Sequence, residues 1–98
     1  ETVRRRRNNS VLRVDGNSMI QEQIRDGDYI VVQVQETAED GEMVVALVGG
    51  ESATVKKLYR EEAGRVRLQP ANPSMDPIFV DPDELRIQGI VVGVIRKY

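Results

Sequence analysis

Residues 40–59 read DGEMVVALVGGESATVKKLY, and this stretch decides the fold class. Asp40-Gly41 is a turn dipeptide, and it precedes an apolar run at residues 44–48 that ends at Gly49-Gly50. Residues 53–59 then alternate in the way that a strand alternates between its two faces. Short apolar or alternating segments between glycine-containing turns indicate β-strands rather than helices.

The same pattern extends toward both ends of the chain. It predicts further short strands at residues 11–14, 29–34, 65–69, 78–80 and 85–95. Short strands separated by regular turn signals are typical of a β-sandwich or β-barrel. The sequence therefore predicts an all-β fold, a single compact domain of about seven short, mostly antiparallel strands. The one helical candidate, residues 18–24, would form a short helical turn directly after Ser18.

The composition excludes several kinds of chemistry. The chain has 98 residues, which normally form one domain, and it contains neither cysteine nor histidine. It therefore has no disulfide, no thiolate nucleophile and no zinc finger, and it lacks the commonest metal ligand and general base. An enzyme of this composition has to use Ser, Thr, Tyr, Lys, Arg, Asp or Glu. The absence of cysteine also fits a reducing compartment.

The charge distribution predicts a basic leader followed by an acidic body. Four of the 14 basic residues are consecutive, from Arg4 to Arg7, although the chain has a net charge of −2. We expect residues 1–10 to be a flexible basic leader, a remnant or shortened linker, and residues 11–98 to form the folded domain. Terminal arginines would give only sequence-independent attraction to nucleic acid. The apolar runs are far shorter than the about 20 residues that span a bilayer, so we expect no membrane insertion.

Ser18 is the serine whose surroundings suit a nucleophile. It follows a tight turn, Asp15-Gly16-Asn17, and precedes the apolar pair Met19-Ile20, which would anchor a short helix. A hydroxyl at a helix N-terminus lies near free backbone N–H groups that favour developing negative charge. The alternative is that Ser18 only caps this helix, with Gln21 completing a capping box, and by position alone capping is the more common role.

Lys56 and Lys57 are adjacent on the predicted strand at residues 53–59, so their side chains point to opposite faces. Periodicity does not say which face is covered, and the face with Lys57 is if anything the more apolar. A covered lysine loses hydration, which lowers its pKa and allows a neutral amine to act as a base. A serine nucleophile with a lysine base needs neither histidine nor cysteine. The alternative is two surface lysines that protect an edge strand from aggregation.

The acidic residues offer a weaker candidate site. The carboxylates that could pair for acid–base work or bind a divalent ion are Asp26, Asp28, Asp81, Asp83 and Glu84. Most of them lie in turns, where aspartate is favoured because its side chain bonds the local backbone. The Asp26-Gly27-Asp28 spacing lacks the further ligands of a calcium loop. We therefore expect neither a metal site nor a cofactor.

Six segments resemble the LexA- and UmuD-like family of self-cleaving peptidases with a Ser-Lys dyad, in the family's order and spacing. These segments are VDGNSM at 14–19, IRDGD at 24–28, DGEMVVA at 40–46, TVKKL at 54–58, LQPAN at 68–72 and QGIVVGVIR at 88–96. The resemblance runs from about residue 12 to residue 96, which is most of the chain.

The resemblance implies an all-β catalytic domain in which Ser18 is the nucleophile and Lys56, not Lys57, is the general base. It thereby directs the face that carries Thr54, Lys56 and Leu58 toward the active cleft. The backbone N–H groups of Ser18 and Asn17 would stabilise the oxyanion. It also implies a cytoplasmic homodimer that associates through residues 87–95. The alternative for this apolar segment is a buried central strand, and the two roles are compatible if they use alternate faces.

In this family, the domain belongs to a transcriptional repressor of the SOS response to DNA damage. It cleaves an Ala-Gly bond in its own upstream segment when a RecA filament stimulates it, and a helix-turn-helix DNA-binding domain is released. We expect DNA binding only through such a domain, which this chain lacks. No Ala-Gly pair precedes Ser18, so we expect cleavage in trans rather than self-cleavage.

Ala63-Gly64 is the one Ala-Gly pair in the chain, and we interpret it as a hairpin turn rather than a cleavage site. A function from another class also fits the sequence. The chain could be a non-catalytic dimerisation or protein-binding module that has kept the fold.

Overall fold

The computed structural model describes residues 8–50 and 52–96. Its strands are β1 (Asn9–Arg13), β2 (Tyr29–Val34), β3 (Met43–Val48), β4 (Thr54–Arg60), β5 (Val66–Gln69), β6 (Ile78–Val80) and β7 (Leu85–Ile95). These seven strands form one sheet in the order β1-β2-β7-β3-β4-β5-β6, and all neighbouring strands are antiparallel. The predicted all-β, single-domain fold is confirmed. No helix in the described part of the chain is long and apolar enough to cross a membrane.

The predicted and observed strands differ by one or two residues at their ends. The largest difference is at β1, which begins at Asn9 instead of residue 11, because Asn9 and Ser10 pair with Gln33 and Val32 of β2. Most of the expected basic leader, residues 1–7, lies outside the described residues.

The predicted helical segment at residues 18–24 is shorter in the structure than expected. It contains only a 3₁₀ turn, Ile20–Glu22, and the following residue, Gln23, has a left-handed φ of 65°. A left-handed residue ends a right-handed helix, which explains why the turn does not continue. Two further 3₁₀ turns lie at Glu62–Gly64 and Pro82–Glu84. The first of these joins β4 to β5, so the turn interpretation of Ala63-Gly64 is correct.

The centre of the sheet is apolar on both faces. Val44 and Val45 are adjacent on β3 and point to opposite faces, yet they are 0% and 1% exposed. Two clusters cover these faces. The Met19 cluster consists of Met19, Ile24, Ile30, Val32 and Val45, and the Leu58 cluster of Ala38, Val44, Ala46, Leu58, Val66, Leu68 and Val80. The residue directly after Ser18 is therefore part of the core.

Strand β7 pairs with both β2 and β3 and contains two irregularities. The register shifts between Val31 and Val32 on one side and between Val45 and Ala46 on the other. Each shift leaves an extra residue on β7, as in a β-bulge, which bends a strand and increases its twist. Between the two shifts, Gly89 lies so close to β2 that an added Cβ would meet the Gln33 carbonyl oxygen, and it would lie 2.6 Å from Val32 Cγ1.

This close approach predicts different effects for two glycines on the same strand. Gly89→Ala should destabilise the domain by about 1–3 kcal/mol, because the strand has to move away from β2 to accept the methyl group. Gly93→Ala is the matched control, since its Cβ would meet nothing closer than Val31 at 3.7 Å. Urea unfolding measures both free energies. Equal stability of the two variants would contradict the close approach of β7 to β2.

Candidate active site

Ser18 and Lys56 meet although they are 38 positions apart in the sequence. The Lys56 Nζ atom donates a hydrogen bond to Ser18 Oγ at 3.2 Å. The Ser18 hydroxyl in turn donates to the backbone oxygen of Val55 at 3.4 Å, a long hydrogen bond. Lys56 is 6% exposed, whereas Lys57 is half-buried. The face with Lys56 and Leu58 is therefore the covered one, even though its sequence is the less apolar of the two.

The amine of Lys56 has a polar neighbour but no counter-ion. Its Nζ donates a second hydrogen bond to Thr54 Oγ1 at 2.5 Å, two residues earlier on β4. In the part of the chain that the structure describes, no carboxylate forms an ion pair with it. Burial lowers the pKa of Lys56 below its usual 10.5, because removal from water disfavours the charged amine. The surroundings of Lys56 thus favour a neutral amine next to the Ser18 hydroxyl.

Lys57 has the opposite environment. Its amine pairs with the carboxylate of Glu22 on the Ile20–Glu22 turn. The hydrogen bond to Glu22 raises the pKa of Lys57 above 10.5, because it stabilises the charged form. Adjacent lysines are thus shifted in opposite directions, and only Lys56 combines a lowered pKa with contact to a hydroxyl.

The serine turn, residues 15–18, is fixed on one side by the Asp26-Gly27-Asp28 turn. Gly16 N donates to Asp26 Oδ1 at 2.7 Å, and Asp26 N donates to Asn17 Oδ1 at 3.1 Å. Just before the serine turn, Val14 N donates to Asp28 O and Gly27 N donates to Val14 O, both at 2.8 Å. The carboxylate of Asp26 therefore binds backbone, as aspartate commonly does in turns. No group of three or more acidic side chains in residues 8–50 and 52–96 is arranged to hold a metal ion.

The loop after β5 fixes the serine turn on its other side. The backbone N–H of Ala71 donates to Ser18 O at 2.7 Å, and Asn72 Nδ2 donates to Asn17 O at 2.8 Å. Gln21 N returns a hydrogen bond to Ala71 O at 2.8 Å. The carbonyl groups of Asn17 and Ser18 thus accept hydrogen bonds. In contrast, no described residue accepts a hydrogen bond from the backbone N–H of Asn17 or Ser18, the two groups predicted to face an oxyanion.

The helix-capping alternative for Ser18 is wrong. Met19, not Ser18, occupies the N-cap position of the 3₁₀ turn, and no side chain caps it. The Ser18 hydroxyl contacts Lys56 and Val55 of β4 instead. Its neighbour Met19 is 1% exposed, so the turn is anchored by burial of the next side chain rather than by a cap.

A cleft of about 290 Å³ opens beside Ser18 and Lys56. Its walls are the segment from Leu12 to Ser18 and the start of β4, and Ile30 and Val45 form part of its apolar lining. Strand β1 forms one edge of the sheet, because it pairs with β2 alone. The cleft thus combines a strand edge, an apolar lining and a hydroxyl–amine pair. The first two features suit the binding of an extended chain, and the third suits nucleophilic attack.

Sequence reasoning missed several residues that build this site. The sequence pattern places Thr54 only on the face of Lys56, and it includes Asn72 and Arg96 only within segments that carry the family resemblance. Asp28 is an acid–base or metal candidate by sequence, but in the structure it is buried and forms an ion pair with Arg96 at 2.9 Å. The hydrogen bond from Arg96 is the main reason why the pKa of Asp28 falls from 3.8 to about 2. The Asp-Gly-Asp turn was the sequence signal that could have indicated a backbone-fixing role.

The chain matches a known protein family and several named relatives. A family model described as Peptidase S24-like matches residues 1–92. The LexA repressor of Syntrophotalea carbinolica is 62% identical over 89 residues, covering 90% of this chain and 43% of that protein. The LexA repressor of Koribacter versatilis is 52% identical over 88 residues, covering 90% and 41%. That of Clostridioides difficile is 52% identical over 89 residues, covering 91% and 42%.

The chain thus spans about two fifths of the length of these relatives. The family match includes the serine turn, β4 and most of β7. The predicted resemblance to LexA-like proteins is confirmed at the level of the family. The chain belongs to the Peptidase S24-like family and is a LexA-like domain.

Proposed function

We propose that this chain is a serine peptidase domain that cleaves peptide bonds through a dyad of Ser18 and Lys56. The observation that carries the proposal is the 3.2 Å separation between the Ser18 hydroxyl and a buried amine whose pKa is lowered. An activated nucleophile needs a base within hydrogen-bond reach whose neutral form is favoured, and the short Ser18–Lys56 distance and the lowered pKa of Lys56 both support this role. The family match supports a peptidase in general, and the proposal adds the residues.

The proposed reaction begins with proton transfer. Neutral Lys56 accepts the proton of the Ser18 hydroxyl, and Ser18 Oγ bonds to the carbonyl carbon of the scissile peptide. The carbonyl oxygen becomes an oxyanion, which the backbone N–H groups of Asn17 and Ser18 would stabilise. The C–N bond then breaks, and the Lys56 ammonium returns its proton to the departing amine. A water molecule, deprotonated by Lys56, hydrolyses the acyl-enzyme and regenerates Ser18.

Thr54 supports this reaction by orienting the base. Its Oγ1 accepts a hydrogen bond from Lys56 Nζ, which leaves the amine directed at Ser18. The hydroxyl of Ser18 donates only a 3.4 Å hydrogen bond to Val55 O, so little is lost when it turns to donate to Lys56. Fixing both partners before the substrate binds lowers the entropic cost of reaching the transition state.

The proposed substrate is an extended segment with an Ala-Gly bond. An extended segment can pair with the free edge of β1, which borders the cleft beside Ser18. Ala and Gly are small enough to let the backbone approach Ser18 closely. By its resemblance to the LexA-like family, the domain would serve in an SOS-response repressor, with stimulation by a RecA filament and with DNA binding through a separate domain.

The direct test is cleavage in trans of a peptide that contains an Ala-Gly bond in an extended, LexA-type linker. Ser18→Ala and Lys56→Ala should each lower the rate by more than about 100-fold, because one removes the nucleophile and the other the base. The rate of the parent should rise with pH through the lowered pKa of Lys56, since only the neutral amine accepts a proton.

Lys57→Ala is the matched control, because it removes the adjacent lysine without touching Ser18. It should cleave at nearly the parental rate. Cleavage by Ser18→Ala and Lys56→Ala at the parental rate would contradict the dyad. Loss of cleavage in Lys57→Ala, with full activity in Lys56→Ala, would show that Lys57 and not Lys56 is the base.

The end of β7 supports a second proposed role, homodimerisation through residues 87–95. Val92, Val94 and Ile95 are large apolar side chains that are 53%, 43% and 50% exposed. Val94 and Ile95 are consecutive on the strand and point to opposite faces, so apolar side chains are exposed on both faces at this end of β7, and exposed apolar surface commonly marks protein–protein contacts. This role is compatible with the peptidase and would also remain if the chain were a non-catalytic module.

Sedimentation over a range of protein concentrations tests the dimer. The parent should sediment as a dimer at micromolar concentration, and Val92→Lys should weaken the association by at least about tenfold, because it places a charge in an apolar contact. The exposed substitution Arg60→Met is the control and should leave the association unchanged. A strict monomer at high micromolar concentration would contradict the proposal.

A further inference from the structure

We propose that Arg96 is a positioning residue for Ser18, although it directly follows β7 and does not line the cleft. The inference rests on the proposed peptidase function and deepens it. Arg96 would act by holding both chain segments that flank the serine turn, so that the Ser18 hydroxyl stays within reach of Lys56.

Arg96 donates hydrogen bonds to two residues near the serine turn, Asp28 and Gln23. Its Nε donates to Asp28 Oδ1 at 3.1 Å, and its Nη2 donates to Asp28 Oδ2 at 2.9 Å. The same Nη2 donates to the backbone oxygen of Gln23 at 2.7 Å. The first two form a two-pronged guanidinium–carboxylate pair, which fixes geometry as well as charge. A lysine at this position could supply the charge but not the parallel bonds.

Asp28 transmits this restraint to the chain that enters the serine turn. Its side chain is 6% exposed, and its Oδ2 also accepts a hydrogen bond from Arg25 N at 2.8 Å. Its backbone oxygen accepts a hydrogen bond from Val14 N at 2.8 Å. Val14 directly precedes the serine turn. The ion pair thus locks the strand end, the Asp26-Gly27-Asp28 turn and the entry to the serine turn into one unit.

Gln23 transmits the restraint to the chain that leaves the serine turn. It follows the Ile20–Glu22 turn in a left-handed conformation, with a φ of 65°, which a glutamine adopts at some energetic cost. Its N–H donates a hydrogen bond to Ile20 O at 3.0 Å, and its carbonyl oxygen accepts one from Arg96 Nη2. The hydrogen bond from Arg96 therefore holds an unfavourable conformation at the exit of the segment that contains Ser18.

Loss of Arg96 would leave a buried carboxylate without its partner and release both flanking segments. The bonds from Ala71 and Asn72 would still hold the carbonyl side of the serine turn. The expected result is a small displacement of Ser18 rather than unfolding of the site. Displacements of about 1 Å can lower a reaction rate by about 100-fold, while substrate binding in the cleft need not change.

The experiment compares Arg96→Met and Arg96→Lys with the parent in the trans-cleavage assay, with rates normalised to the folded fraction from circular dichroism. Arg96→Met should lower kcat by roughly 10- to 100-fold with KM unchanged within about twofold. Arg96→Lys should recover part of the loss. Asp28→Asn is measured alone and together with Arg96→Met. The double variant should be no slower than the slower of the two single variants, because both residues act as one unit.

Arg60→Met is the matched control, since Arg60 also pairs with an aspartate, Asp40, but at an exposed position. Its kcat should equal that of the parent. An Arg96→Met variant with parental kcat per folded molecule would overturn the inference, as would a loss explained entirely by the unfolded fraction. If the parent itself cleaves no faster than Ser18→Ala, the proposed peptidase function fails first, which is a distinguishable result.

Discussion

The burial of one amine is the constraint on which the rest of the site depends. Lys56 lies on β4 with 6% exposure and without a described counter-ion, so its charged form is disfavoured. A fold that solvated this amine, or placed a carboxylate next to it, would keep it protonated and useless as a base. The neighbouring Lys57 shows that alternative, because Glu22 holds its charge on the other face of the same strand. Strand alternation thus gives two adjacent lysines pKa shifts in opposite directions.

The strands were largely predictable because their signals are local. Turn dipeptides and alternating side chains lie within a few residues of each other, and they were sufficient for the all-β class and for all seven strands. The covered face of β4 was not predictable from its residues, because valine and tyrosine make the Lys57 face look more apolar. What decides the face is the Leu58 cluster, which strands distant in sequence supply. Only the family resemblance directed Lys56 toward the cleft.

The side chains that hold the serine turn in place were not predictable either, because their partners are also distant in sequence. Arg96 and Asp28 are 68 positions apart, and Asn72 and Asn17 are 55 apart. The first contact depends on the strand order, which places β7 next to β2, and the second joins the loop after β5 to the segment between β1 and β2. The short helical turn predicted after Ser18 is present, but it ends at Glu22 because the next residue, Gln23, is left-handed, which propensities do not indicate. Long-range polar contacts and a left-handed backbone conformation were thus not predictable from the sequence, and both lie next to the serine turn.

The central claim is that Lys56 is a neutral base because the fold buries it. Nuclear magnetic resonance of protein labelled with ¹³C at lysine Cε measures it directly, because the chemical shift reports the charge of each amine as pH changes. Lys56 should titrate below 10.5 and Lys57 above it. Ser18→Ala should leave the pKa of Lys56 lowered, since burial and not the serine lowers it. A Lys56 that titrates at 10.5 or higher in the folded domain would contradict the account.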